Sequence, residues 1–357
     1  MLAVTEIKNK KIFFSPLHWG LGHATRSIPI IKHLLNQHFE VITGLNSPLK
    51  EIFETEFPGL TNHQVPKLNV TFGKTRTGTL TKLIIQGISL PRIINEENAW
   101  ITSFVNENKP DLIISDNRYG FYHKDVKSIL ITHQLQTPGF GLGGLSAMIL
   151  KNLIKPFDEI WVPDYEDRKL CLAGAISQNP FKNLNIKYIG PLSRFDQQVN
   201  PQEKSHILFL ISGPEPQRSS FENLAIKTSE MLKERSVIIR GTYLPGTYTN
   251  SEKIRFYDLA HRELLQTLIA KAKLIICRPG YSTIMDLMSF NTPALFIASR
   301  GQTEQEYLAR HLHDKYGFFS LNAGVNAQQL SKTIQARAGV TNDFNRPSET
   351  NTLSGLI

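Results

Sequence analysis

Cys277–Leu287 reads CRPGYSTIMDL and lies between two apolar runs, Lys273–Cys277 (KLIIC) and Pro293–Ala298 (PALFIA). Short apolar runs bounded by turn residues are expected to be buried strands. The Pro279–Gly280 pair makes a sharp turn, and Ser282 or Thr283 can cap the helix that follows. A strand–turn–helix of this kind leaves a helix N-terminus open, with unpaired N–H groups and a partial positive charge, which suits a phosphate. Asp286 stands four residues after Ser282 and three after Thr283, so the three share one helix face. A carboxylate one turn behind a phosphate cradle can accept hydrogen bonds from sugar hydroxyls. The stretch is expected to hold a nucleotide diphosphate.

Outward from this stretch the chain keeps alternating strand and helix. His206–Ser212 (HILFLIS), Ser236–Arg240, Lys273–Cys277 and Pro293–Ala298 read as strands, with helices near Phe221–Arg235 and over Glu304–Tyr316. Nearer the N-terminus, Lys11–Ser15, a helix near His23–Asn36 with Pro29 early in it, and Phe39–Leu45 make a βαβ opening, the mark of a parallel sheet. Leu112–Ser115, Ser128–Thr132 and Glu159–Val162 continue it. Thr79–Trp100 is expected to be helical with a break at Pro91. Its apolar face packs on the sheet in one reading and meets a lipid acceptor or the bilayer interface in the other. Phe140–Leu150, glycine-rich and apolar, reads as a loop or helix at a cleft mouth. Gly190–Ser205 carries prolines and polar residues without periodicity. The expected division is a domain over 1–190, a linker at 191–205, a second domain over 206–335 and a loosely held tail at 336–357.

A chain of 357 residues fits two domains of about 150–200 residues better than one core. Its 41% apolar and 20% charged residues are those of a globular protein. No apolar run approaches the ~20 residues of a spanning helix, and the N-terminus lacks a secretory pattern. The two cysteines, Cys171 and Cys277, are far apart, which predicts reduced thiols in a cytosolic protein, without a disulfide framework or zinc site. A net charge of +9 favours anionic partners: a nucleotide, or the inner face of an anionic membrane approached peripherally. No nucleic-acid module signature accompanies it, so nucleic acid is not an expected partner.

The first βα turn, HWGLGHATR (His18–Arg26), sets His23 at a helix N-terminus on the carboxyl edge of a parallel sheet, where ligands bind. An imidazole there can act as general base, or it can simply serve as an N-terminal hydrogen-bonding residue. Arg26 shares the His23 face and can hold an acceptor phosphate or be solvated. Asp116 ends a strand on the same edge and can either pair with His23 or cap the next turn. His133 and Gln134 end another strand. In the second half Ser212–Gly213, extended by Gln217 and Arg218, can offer N–H groups to phosphate. Gln305 and Glu306 open a helix facing the same edge as the 280–286 turn. Asp164–Asp167 (DYED) reads as an acidic helix start rather than a metal site, and no metal ligand set is expected.

With these residues laid out, the chain resembles the two-domain GT-B glycosyltransferases, α/β proteins with two Rossmann-like domains facing across a cleft. It is most similar to family 28, which includes the lipid II N-acetylglucosaminyl transferase and the diacylglycerol glycosyltransferases. The resemblance spans about Lys11 to Asn322. In that family a glycine-rich turn ends in a histidine proposed as the base, and Gly20, Gly22 and His23 match it. The acceptor-side His–Glu–Gln resembles His133–Gln134 without its acidic residue, and the linker arginine resembles Arg194. The serine–glycine phosphate loop resembles Ser212–Gly213. The donor signature matches Gly280, Thr283 and Asp286, with Asp where the family usually has Glu. The paired glutamines at the donor sugar match Gln305, with Glu306 in the second place.

The resemblance implies an inverting, metal-independent transfer from a UDP-sugar to an acceptor hydroxyl on a lipid or cell-envelope glycan. No cofactor is implied beyond the nucleotide sugar itself. His23 and Asp116 would be catalytic. Arg194, Ser212, Gly213, Gly280, Ser282, Thr283, Asp286, Gln305 and Glu306 would face the donor, and Gly20, Gly22, Arg26, His133 and Gln134 the acceptor. Two rivals stand beside it: an epimerase or hydrolase that turns over donor without acceptor, and a non-catalytic nucleotide-sugar-binding protein.

Overall fold

The computed structural model describes residues 10–18, 21–67, 76–136, 143–195, 203–242, 244, 246–290 and 292–338. Two compact units divide them. The first holds the described residues up to 67 and those of 84–192; the second holds 76–83 and 193–338.

The first unit runs β1 (Lys11–Pro16), α1 (Leu21–Asn36), β2 (Glu40–Gly44), α2 (Leu49–Glu56) and β3 (Thr61–His63). It continues with most of α3 (Arg76–Asn108), β4 (Leu112–Asp116), β5 (Lys127–Ile131), α4 (Gly143–Ile154), β6 (Glu159–Val162) and β7 (Ile186–Tyr188). These strands form one parallel sheet in the order β3-β2-β1-β4-β5-β6-β7. β4 is buried along its whole length, as a central parallel strand covered on both faces must be. Ile101, Phe104 and Val105 of α3 close over Phe13, Ile42, Ile113 and Phe121. Full burial of a side chain such as Phe13 is worth about 1.5–3 kcal/mol. Gly44 is needed beside it, since a Cβ there would lie 2.5 Å from the Phe13 ring.

The second unit runs β8 (His206–Leu210), α5 (Gln217–Met231), β9 (Ser236–Ile239), β10 (Ile254–Tyr257), α6 (Arg262–Lys271) and β11 (Ala272–Cys277). α7 (Tyr281–Leu287), β12 (Ala294–Ile297), α8 (Thr303–Tyr316), β13 (Phe319–Leu321) and α9 (Ala327–Arg337) complete it. Its parallel sheet has the order β10-β9-β8-β11-β12-β13. Its core joins Phe209, Ile211, Ile276 and Ile297 to Phe221 and Ala225 of α5 and to Leu330 and Ile334 of α9.

Both orders reverse direction once. In the first sheet the chain leaves β1 for β2 on one side and later returns to β4 on the other; in the second, β8 is flanked by β9 and β11. Loops that diverge at such a point leave a crevice at the carboxyl ends of the two strands. Register aligns those ends. Pro16 pairs with Asp116, and Cys277 pairs with Leu210, so Arg278–Gly280 and Ile211–Gly213 leave the sheet side by side.

Several elements differ from the sequence reading. Pro91 does not break α3, which runs through it to Asn108. Proline removes one ladder bond, and burial of Ile101 and Phe104 holds the turns beyond it. α1 begins at Leu21, which puts Pro29 in the helix interior. Asp164–Asp167 starts no helix: the segment is turn and bend, and the Asp164 carboxylate is buried. It accepts from the N–H groups of Leu172 (2.8 Å) and Ala173 (2.9 Å) and from Ser177 Oγ (2.6 Å). α9 reaches Arg337, into the segment expected to be loose; residues 339–357 lie outside the described residues. Among the described residues no helix is long and apolar enough to cross a membrane, and no His/Cys/Asp/Glu group could hold a metal ion.

Candidate active site

At the β1/β4 reversal the first turn of α1 brings His23 to the end of β4. His23 Nδ1 lies 3.1 Å from Asp116 Oδ2, so of the two roles open to Asp116 the structure shows the pairing. Arg26, one turn on and 3% exposed, donates from Nε to Asp116 Oδ2 at 2.8 Å and from Nη2 to Asp116 Oδ1. Its Nη2 also sits 2.8 Å from His23 Nδ1, and its Nη1 lies 3.4 Å from His133 Nδ1. Arg26 is thus neither solvated nor presented at the surface; it is the buried counter-ion of Asp116.

Electrostatics at this cluster follow from burial and that pair. Burial opposes the Asp116 charge, but Arg26 and then His23 hold the carboxyl well below the usual carboxylate range. His23 is held below the ordinary imidazole value, first by burial and then by Arg26, against the pull of Asp116. Its ring is therefore neutral near pH 7, the form a general base requires. Nδ1 can donate a hydrogen bond to Asp116 or accept one from Arg26 Nη2, but not both at once. With Asp116 as the partner, Nε2 is left free to take a proton. The side chain is 15% exposed, enough for a small group to reach it. Tyr119, beyond β4, joins the cluster through Thr132, and burial pushes its phenol up to about 12.

Other residues expected here have local partners. Gly22 accepts from Thr25 Oγ1 in the first turn of α1, and the Gln134 N–H donates to Thr132 Oγ1. Gly20 lies outside the described residues.

The second cluster surrounds the β8/β11 reversal. Gly280 is the N-cap of α7, in extended conformation and without a side-chain cap bond. Ser282 and Thr283, expected as caps, lie inside the first turn because the helix starts at Tyr281. Asp286 is 6% exposed. Its Oδ1 accepts from Ser193 Oγ and from the Arg194 N–H, both at 3.2 Å, and Oδ2 lies 3.1 Å from Arg194 Nε. Burial raises its pKa, and Arg194 opposes the rise. Ser212 and Gly213 form an exposed turn. Gly213 has φ 106°, a left-handed conformation that favours glycine. Arg218 does not extend this turn toward solvent; it is buried against Glu215 and Glu222. Gln305 Oε1 accepts from the Ser299 N–H at 2.8 Å, and Glu306 Oε1 from the Gly301 N–H at 3.3 Å. Both side chains brace the loop between β12 and α8.

Sequence reasoning missed Ser193, Tyr119 and a buried pair in the first unit. There Arg118 Nε donates to Glu97 Oε1 at 2.8 Å with both side chains at most 2% exposed. Partners of this kind stand far apart in sequence and leave no local pattern. Arg278, in the Cys277–Leu287 stretch, had a signal: a charged residue wedged between an apolar strand and a Pro-Gly turn.

Two parallel-sheet Rossmann-like units, each with a polar cluster at its switch point, define the GT-B class. Solved structures agree at the level of the fold: a spinosyn rhamnosyltransferase superposes with TM-score 0.64 at 13% identity, over 92% of each chain. A UDP-glucosyltransferase from Polygonum tinctorium gives 0.62 at 12% identity, over 94% of this chain and 91% of that one. Residues 221–349 match the model of the glycosyltransferase family 28 C-terminal domain. An uncharacterized glycosyltransferase of Methanosarcina acetivorans is 26% identical over 305 residues, covering 80% of this chain and 79% of the relative. A Clostridium perfringens UDP-N-acetylglucosamine–N-acetylmuramyl-(pentapeptide) pyrophosphoryl-undecaprenol N-acetylglucosamine transferase is 25% identical, covering 88% and 86%. The chain is a glycosyltransferase with the GT-B fold, and its residues 221–349 match the family 28 C-terminal domain.

Proposed function

We propose that this enzyme transfers a hexose or N-acetylhexosamine from a UDP-sugar to an acceptor hydroxyl, with inversion and without a metal. The observation that carries the reading is the neutral, partly accessible His23 ring backed by Asp116 at the β1/β4 switch point. His23 Nε2 takes the proton of the acceptor hydroxyl as its oxygen forms a bond to the anomeric carbon. The bond from that carbon to the diphosphate oxygen breaks, and the nucleoside diphosphate leaves with the electron pair. Attack opposite the leaving group inverts the anomeric centre.

The donor falls to the second unit. Backbone N–H groups at the Ser212–Gly213 and Gly280 turns, with Arg194 paired to Asp286 beside them, supply part of the positive potential needed where negative charge develops, the role a metal can fill elsewhere. Asp286 Oδ1 is occupied by Ser193 and Arg194, and Oδ2 retains acceptor capacity for a ribose hydroxyl. A lipid or cell-envelope glycan acceptor at the inner face of the membrane is supported by the transferase activity of the Clostridium perfringens relative and by the net charge of +9. A nucleoside diphosphate leaving group is supported by a neighbouring rhamnosyltransferase structure that holds thymidine diphosphate.

The test is product analysis over a panel of nucleotide sugars, with and without polyprenyl-diphosphate, diacylglycerol and glycan acceptors. Acceptor-dependent formation of a glycoside with inverted anomeric configuration is expected. Donor turnover that needs no acceptor would point to an epimerase or hydrolase, and donor binding without any turnover to a non-catalytic binder.

A further inference from the structure

Among the described residues of the second unit, Arg218, Arg240 and Arg278 are buried at 7–8% exposure. Two of them have carboxylate partners. Arg218 pairs with Glu215 and Glu222 at 2.6 and 2.7 Å, and Arg240 pairs with Glu222 and Asp258. Arg278 forms no ion pair with a carboxylate among the described residues. Its Nη1 donates to the carbonyls of Ile297 (2.7 Å) and Ala298 (2.9 Å). Its guanidinium lies over the Phe221 ring at 4.2 Å, and its Nε is buried without a hydrogen-bond partner.

A neutral amide could tie the same two carbonyls at the end of β12. The unpaired charge is what needs a reason, because a buried cation without an anion is costly. Its place in the fold supplies one. Arg278 is one residue beyond the Cys277–Leu210 pair, beside the Ser212–Gly213 turn and two residues before Gly280. The other sources of positive potential there are weak or already matched. α7 has seven residues, too short for a full macrodipole, and Arg194 is neutralised by Asp286.

We propose that Arg278 is an anion-holding residue of the donor half-site, whose uncompensated charge draws the donor diphosphate to the β8/β11 crevice and steadies it as a leaving group. This rests on the donor reading given above. It adds that one buried cation, rather than the α7 terminus, discriminates the diphosphate from the rest of the nucleotide.

Titration calorimetry with uridine, UDP and inorganic pyrophosphate tests it on the full chain and on Arg278→Gln and Arg278→Lys, with thermal unfolding as the check of folding. The glutamine keeps a donor for the two carbonyls and lacks the charge; the lysine keeps the charge. Arg278→Gln is expected to weaken UDP by about 10-fold or more while leaving uridine unchanged, and Arg278→Lys to stay within about 3-fold of the unaltered protein. Equal losses for uridine and UDP, or no loss for either, would overturn the proposal and leave the donor reading standing. Failure of the unaltered protein to bind either UDP or pyrophosphate would overturn both. Pyrophosphate binding that is lost in Arg278→Gln, without any preference for UDP, would uphold the anion site and refute the nucleotide. Where the glutamine variant does not fold, the lysine decides: loss of the UDP advantage over uridine sinks the proposal, and its retention supports it.

Discussion

Replacing Asp116 by Asn keeps the shape of the side chain and removes its charge. In the native unit that carboxylate is fully buried and accepts from Arg26 at 2.8 Å and from a second guanidinium nitrogen, with His23 Nδ1 3.1 Å away. The variant leaves the Arg26 cation, 3% exposed, without its anion. Breaking a buried pair from one side costs about 3–5 kcal/mol, a large share of the ~5–15 kcal/mol that holds a typical domain. At about 2–4 °C per kcal/mol for a unit of this size, the melting temperature should fall by on the order of 10 °C. Urea and thermal unfolding followed by circular dichroism at pH 7 measures it. The double variant Arg26→Met/Asp116→Leu removes both charges and should recover most of the loss, since apolar replacement of a buried pair is often near neutral. Acid gives an independent check. The Asp116 carboxyl is held below its unfolded value in the native state, so its contribution is present above about pH 3.9 and is lost as pH falls toward the native value. The Asn variant should lack that acid-sensitive component. An Asn variant within about 1 kcal/mol of the unaltered protein, or a double variant no better than the single one, would refute the reasoning.

His23→Ala should lower turnover by about 10²–10⁴-fold with donor affinity unchanged; a drop of only a few-fold in steady-state assays would remove the base assignment. Because burial and Arg26 depress the His23 pKa, the acid limb of kcat/KM against pH should lie below the ordinary imidazole value; a limb above it would contradict the cluster geometry. Asp286→Asn should weaken UDP-sugar binding in calorimetry and speed proteolysis near Ser193–Arg194, which the carboxylate holds at 3.2 Å; unchanged donor affinity would detach Asp286 from the ribose.

Much of the fold was legible in the chain. The apolar runs ending at Cys277, Ala298, Ser115 and Val162 mark central strands, because a parallel strand buried on both faces must be apolar along its length. All four strands that escaped, β3, β7, β10 and β13, are sheet edges. They are three or four residues long and mostly half-exposed, so no local pattern announces them; the neighbouring ladder alone makes them strands.

The site divides in the same way. Sequence by itself picked out the candidates for chemistry: a histidine after a glycine turn, a carboxylate behind a Pro-Gly turn, and strand ends bearing Asp or Ser. Only the tertiary structure decided their partners. His23 meets Asp116 across 93 residues because Pro16 and Asp116 pair in register at the switch point. Arg26 became a buried counter-ion, and Asp286 acquired Ser193 and Arg194. Periodicity and turn chemistry act over a few residues, whereas charge compensation in a buried place depends on which strand ends the sheet order sets side by side.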